Sequence, residues 1–168
     1  MTQSGARISG PELLAPNHDI SQFDCGYAEL DDWLRRKALA SQGRSAQTYV
    51  VTSGGHVVAY YCLAAGSVQL RQLPSAKARR NLPEQVPIVV IGRLAVDARH
   101  QARGLGKALL THAIKRALAA SAAIGIRAFV VHAIDEKAAR FYEKFGFVPF
   151  PTNSLTLWLP LKTAAKAL

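Results

Sequence analysis

Residues Arg103-Gly104-Leu105-Gly106-Lys107 bring together the groups that hold a phosphate. They follow an apolar run, Ile88–Val96, closed by Asp97, and open an alanine- and leucine-rich stretch, Arg103–Ala122. That order predicts a buried strand, a short loop and the start of a helix. The first N–H groups of a helix have no intrahelical acceptor and sit at the positive end of its dipole. Glycine at 104 and 106 leaves no side chain to hold a ligand away from the backbone, while Arg103 and Lys107 add full charges. The expected chemistry is the cradling of a pyrophosphate. The segment is not a nucleoside-triphosphate P-loop, which needs four residues between its glycines and a Gly-Lys-Ser/Thr ending. Nor is it the dinucleotide fingerprint. That motif needs a third glycine where Leu109 stands, and an acid about 20 residues on, whereas no acid follows Asp97 until Asp135.

The elements that position this loop follow from periodicity. Leu30, Trp33, Leu34 and Ala38 recur at helical spacing within Tyr27–Ala40, with Asp31, Asp32, Arg35 and Arg36 largely on the other face. Thr48–Thr52 and His56–Leu63 are β-rich runs about Ser53-Gly54-Gly55, a hairpin signal. Ile88–Val96 is apolar on both faces except at Gly92 and Arg93, as a central strand should be. Arg127–His132 is a second buried strand, Asp135 is placed to cap a short helix ended by Gly146, and Phe147–Phe150 and Leu155–Leu159 are the last strands. The order is roughly β-α-β-β-β-α-β-α-β-β, an α/β (α+β) chain with helices covering a mixed sheet. Residues 71–87, rich in proline and polar residues, form an excursion between two strands.

With 168 residues the chain is the size of one domain, and no apolar stretch approaches the length of a membrane span. The opening MTQSGARISGPELL lacks a charged region followed by a long apolar run, so no secretory leader is expected. Cys25 and Cys62 form no disulfide framework, and no Cys/His cluster, including His18, His56 and His112, has metal-ligand spacing. A reducing, cytoplasmic setting without a metal is expected. Charge is the unusual feature, 21 basic residues against 11 acidic ones. No acid lies between Asp32 and Glu84, where eight basic residues fall, or between Asp97 and Asp135. Such a distribution favours a polyanionic partner.

The run Gln101-x-x-Gly104-x-Gly106 after a strand resembles the acyl-CoA-binding motif of the GCN5-related N-acetyltransferases. Asp135-x-x-Ala138-x-x-x-Tyr142 followed by Gly146-Phe147 is similar to that family's closing motif, with Asp135 where Asn is common. The resemblance covers residues 45–150. It implies a single N-acetyltransferase domain over residues 1–168. The implied sheet is mixed and mostly antiparallel, with a splayed central parallel pair and flanking helices. It implies acetyl-CoA as co-substrate, held by the backbone of Leu94, Ala95 and Val96 and by Gln101, Arg103, Gly104, Leu105, Gly106, Lys107 and Asp135. It also implies Tyr142 near the cofactor sulfur, as the general acid that protonates the departing thiolate. Asp97, His100 and His132 are the candidates for a base, and their spacing singles out none.

A narrower resemblance takes in Phe23-Asp-Cys-Gly, Leu30-Asp-x-Trp33-Leu34, Gly92-Arg-Leu-Ala-Val-Asp97 and Val131-His-Ala-Ile-Asp135. These look like the acetyltransferase toxins of bacterial toxin–antitoxin modules. The resemblance implies acetylation of the α-amine of aminoacyl-tRNA, arrested translation, a small DNA-binding antitoxin as partner, and a homodimer. Arg35, Arg36, Lys37, Arg71, Lys77, Arg79 and Arg80 are the expected contacts to tRNA phosphates, by charge rather than by base readout. Acetylation of a protein N-terminus or a small amine is the alternative reading. A polyamine site should carry acids, of which this chain has few.

Overall fold

Two consecutive glycines set the first register. In the computed structural model, which describes residues 7–167, Gly54 and Gly55 have φ of +59° and +84°. Positive φ at both central residues gives a two-residue turn whose twist matches that of the flanking strands. Ser53 therefore pairs with His56, and the pairing runs back to Gln47 opposite Leu63. Residues 1–6, on which the expected lack of a leader partly rests, lie outside the described residues.

Contacts divide the chain into two units, Met1–Leu63 with Arg93–Ala113, and Ala64–Gly92 with Ile114–Leu168. In the first, β1 (Ile8–Leu13) pairs antiparallel with β2 (Gln47–Ser53), which pairs in turn with β3 (His56–Gln69). A helical segment joins β1 to β2. It starts as α1 (Ala28–Trp33), passes through a π-helical turn (Leu34–Ala38) and ends as α2 (Leu39–Ser41). Its apolar face is the expected one: Leu34 and Ala38 are buried, and Leu30 and Trp33 pack on a core that includes Phe23, Val50 and Tyr60. Asp31 departs from the expected solvent face. It is buried, and its Oδ1 accepts the Cys25 amide at 2.9 Å.

The second unit is organised about β5 (Ala128–His132), buried along Ala128–Val131 as its composition predicts. The start of β4 (Gln85–Val96) pairs with it in parallel, Ile88 to Ile91 against Ala128 to Val131. β7 (Asn153–Pro160) pairs with it antiparallel, and β6 (Val148–Phe150) pairs with β7. The core here joins Leu73, Ile88, Val130, Phe150 and Trp158. The excursion at 71–87 contains α3 (Ala76–Arg79), capped by Ser75. α4 (Leu105–Ser121) crosses from the first unit to the second, while α5 (Glu136–Glu143) and α6 (Leu161–Ala167) belong to the second. Hydrogen-bonded neighbours follow the order β1-β2-β3-β4-β5-β7-β6, a seven-stranded, mostly antiparallel sheet with the parallel pair β4–β5.

Two differences from the expected elements have physical causes. β3 runs to Gln69 rather than Leu63. Ala64-Ala-Gly-Ser is not a strand-favouring run, so pairing in the fold decides it. α4 starts at Leu105, not Arg103, because Gly104 is still in the left-handed region at φ +81°. Among the described residues, no helix is long and apolar enough to cross a membrane.

Candidate functional site

The loop between β4 and α4 is built on Asp97. Its amide donates to the Val58 carbonyl at 2.8 Å, and its side chain is only 1% exposed. Oδ1 accepts from the Arg99 amide at 2.9 Å and from Arg99 Nε at 3.0 Å. Oδ2 accepts from the Asp24 amide at 3.1 Å and from Arg99 Nη2 at 3.2 Å. The Ala98 amide returns a bond to the Asp24 carbonyl at 2.8 Å. Burial alone would push the Asp97 carboxyl up, but these hydrogen bonds and the guanidinium charge outweigh it and hold the group at about 2. An acid that strong is a poor proton acceptor near neutrality, so Asp97 acts as a structural bracket rather than a base.

Gln101 makes the second attachment. Its Nε2 donates to the Val96 carbonyl at 2.9 Å and to the Cys25 carbonyl at 3.2 Å. The side chain thus braces the loop from within, and the Val96 carbonyl already has a partner. Ala102 at φ +62° and Gly104 at φ +81° then turn the chain into α4. Ala108 donates to the Gly104 carbonyl at 3.1 Å, and the amides of Leu105, Gly106 and Lys107 have no preceding turn to bond. A Cβ built on Gly104 has nothing within 4 Å, so the approach to this end of the 17-residue helix is open. Arg103 and Lys107 are exposed beside it. Of the strand residues, Ala95 is buried in the core, while Leu94 and Val96 are half-buried.

The second unit holds the other motif. Asp135 caps α5 as expected, its side chain accepting the Ala138 amide at 2.9 Å. Tyr142 is 5% exposed on the buried face of α5, with its ring edge-on to Phe141 and Phe147 at 5.2 and 5.6 Å. His132, one of the candidate bases, is exposed at the end of β5 with Nδ1 3.2 Å from Thr156 Oγ1. His100 has a buried Nδ1 without a hydrogen-bond partner, 3.8 Å from Asp97 Oδ1. Cys25 and Cys62 are buried and not disulfide-bonded, and burial pushes Cys25 up to about 12.

The basic residues differ in availability. Arg36, Lys37, Arg71, Lys77 and Arg80 are exposed. Arg35 is exposed but spends one nitrogen on the Phe23 carbonyl at 2.8 Å and another on Asp32 at 3.5 Å. Arg79 is half-buried and donates to the Leu73 carbonyl at 3.1 Å. Sequence reading missed Arg93, whose guanidinium lies 4.5 Å from the centre of the Trp33 ring. The signal was present as a lone cation in an otherwise apolar strand.

A mixed sheet with one parallel pair, a Gln-x-x-Gly-x-Gly turn and an open helix start are the features expected of an N-acetyltransferase. The acetyltransferase (GNAT) family model matches residues 12–147, and the chain belongs to this family of acetyltransferases. Over 158 residues it is 43% identical to the tRNA-acetylating toxin of Mycobacterium tuberculosis, covering 93% of this chain and 94% of the relative. The AtaT toxin complexed with acetyl-methionyl-tRNAfMet is 30% identical with a TM-score of 0.86, over 96% of this chain and 98% of that one. A tyrosine-to-phenylalanine mutant of AtaT, bound to acetyl-CoA and the C-terminus of the antitoxin AtaR, is 28% identical with a TM-score of 0.79 over 96% of both chains.

Two outcomes are expected. With a folded pKa of about 2 against an ordinary 3.8, ionised Asp97 contributes stability above about pH 4 that is lost as pH falls through about 2. That difference corresponds to about 2 kcal/mol. Asp97→Asn should lose this contribution at neutral pH, and urea unfolding should show a shallower decline between pH 4 and 2 than in the wild type. Parallel declines would remove Asp97 as the bracket. Gly104→Val meets no clash but carries a β-branched residue at φ +81° and crowds the open helix end. Calorimetry of the folded variant should show acetyl-CoA affinity reduced by at least tenfold.

Proposed function

We propose that this chain transfers the acetyl group of acetyl-CoA to the α-amine of an aminoacyl-tRNA and thereby arrests translation. The 43% identity to a tRNA-acetylating toxin along 93% of the chain carries this reading. The acetyl-CoA- and tRNA-bound forms of AtaT support it. The family model takes in parts of both compact units, which supports reading them as one N-acetyltransferase domain. A translation substrate implies a cytoplasmic protein. A small DNA-binding antitoxin is the proposed partner, supported by the AtaR segment on AtaT, and a homodimer is the proposed assembly.

In this reading acetyl-CoA enters as a substrate. The amides at the start of α4, with Arg103 and Lys107, take the pyrophosphate. The backbone of Leu94–Val96 takes the pantetheine arm by strand-like hydrogen bonds, and an N–H there polarises the thioester carbonyl. Gln101 contributes by holding the loop through the Val96 and Cys25 carbonyls rather than by touching the cofactor. The amine nitrogen attacks the thioester carbon, an amide bond forms and the C–S bond breaks. The attacking nitrogen loses a proton to water, the leaving thiolate takes one from the Tyr142 hydroxyl, and the tyrosinate regains its proton from water. No strong base is required, because the neighbouring ester acidifies the α-amine and its neutral form is well populated near pH 7. The closing motif around Tyr142 supports the role given to this residue.

Tyr142→Phe keeps the ring packing on Phe141 and Phe147 and deletes one hydroxyl. It should fold and bind acetyl-CoA, with turnover reduced roughly 10²–10⁴-fold. A rate within about threefold of wild type would leave Tyr142 a core residue. For tRNA, Lys77 and Arg80 are the informative pair, since Arg79 is engaged with Leu73. Changing both to Ala should weaken tRNA binding and flatten the log–log salt slope by about one to two units, at roughly 0.7 to 0.9 per lost phosphate contact. Acetyl-CoA affinity should not change. Acetylation of a peptide or small amine, with a full set of aminoacyl-tRNAs left unmodified, would replace this function with the alternative.

A further inference from the structure

We propose that Arg93 is a specificity residue that stacks on the 3′-terminal base of the aminoacyl-tRNA, making the enzyme read a nucleotide ester rather than a free amine. The inference rests on aminoacyl-tRNA as the acceptor. Three observations within the first unit carry it. Arg93 sits in the left-handed region at φ +54° near the C-terminal end of β4. That conformation is uncommon for a long side chain, and it persists only where the surroundings enforce it. Its guanidinium lies over Trp33 at 4.5 Å, and Trp33 in turn stacks on the fully buried Tyr60, at 6.1 Å with 8° between the rings. Tyr60 is held by a 2.6 Å bond from its hydroxyl to the Leu30 carbonyl.

An exposed planar cation thus lies over one ring of an aromatic pair whose other member is fully buried and hydrogen-bonded. No carboxylate pairs with that cation among the described residues. Phosphate binding alone would not need this construction, because flexible exposed cations such as Arg80 and Lys77 serve it. A planar, delocalised charge held on an aromatic platform is suited to a base, which stacks on guanidinium planes as it does on aromatic rings. The position fits as well. Arg93 immediately precedes Leu94–Val96, the backbone assigned above to the pantetheine arm. The ester that carries the reacting amine is attached to the terminal nucleotide itself.

The test compares two acceptors that share an amino acid: the charged tRNA, and the same amino acid as its methyl ester. Arg93→Asn removes the guanidinium while retaining a residue that tolerates positive φ. Arg93→Lys retains the charge and removes the plane. Both variants should bind acetyl-CoA as the wild type does. Both should lose roughly 5- to 150-fold in kcat/KM on charged tRNA, mostly through KM, which is the span expected of one base stack. Methyl ester turnover should change by less than about twofold. Equal losses on the two acceptors would make Arg93 a structural part of the strand. Full rescue by Lys would make it a phosphate contact, and either result overturns the proposal. A wild type inactive on every charged tRNA would overturn the acceptor assignment itself, an outcome visible before any variant is made.

Discussion

A buried carboxylate with four N–H donors holds the candidate cofactor loop in place. Asp97 ends β4, and its two oxygens collect the amides of Asp24 and Arg99 and two nitrogens of the Arg99 guanidinium. Removing a carboxylate from water is costly, and only full hydrogen bonding to the ionised form recovers that cost. Because all four donors must converge, the bracket fixes where the strand stops and where the loop sets out. Gln101 then repeats the principle with a neutral amide, joining the Val96 and Cys25 carbonyls. The loop backbone is thereby ordered before any ligand arrives, and ordering a binding loop in advance lowers the entropy cost of binding.

The parts of the site that depend on residue type were readable in the sequence. Glycine at 104 before an apolar stretch announces a turn into a helix, which the structure starts at Leu105, and Asp135 three residues before Ala138 announces a cap that the structure contains. The parts that depend on distant partners were not readable. Asp97 reads as one of three candidate bases until Asp24, 73 positions away, is seen donating to it. Arg93 reads as an irregularity in a strand, because neither its positive φ nor its seat on Trp33 is encoded locally. The same holds for β3, whose last residues become a strand through pairing and not through propensity. The hairpin at Gly54-Gly55 marks the opposite extreme, with two residues specifying turn and register together.

The basic excess also reads differently once the cations have addresses. Arg35 and Arg79 close carbonyls of their own chain, and Arg99 is absorbed by Asp97. A chain with few acids uses backbone oxygens and two carboxylates, Asp32 and Asp97, to hold these arginines. The cations left to a polyanion are therefore fewer than the composition suggests, and more of them lie in segments such as 71–80 that are free of acids.

The π-helical turn at Leu34–Ala38 bears on how this chain can be compared with others. Such a turn closes its hydrogen bonds over five residues instead of four, so it accommodates one residue more than regular helix does. Losing one residue among Arg35, Arg36 and Lys37 would restore an ordinary helix while keeping α1 and α2 in their present phase towards the core. Alignments of relatives should accordingly open a single-position gap here rather than in the flanking loops. A deletion in the middle of this helix would then be milder than many substitutions on its buried face.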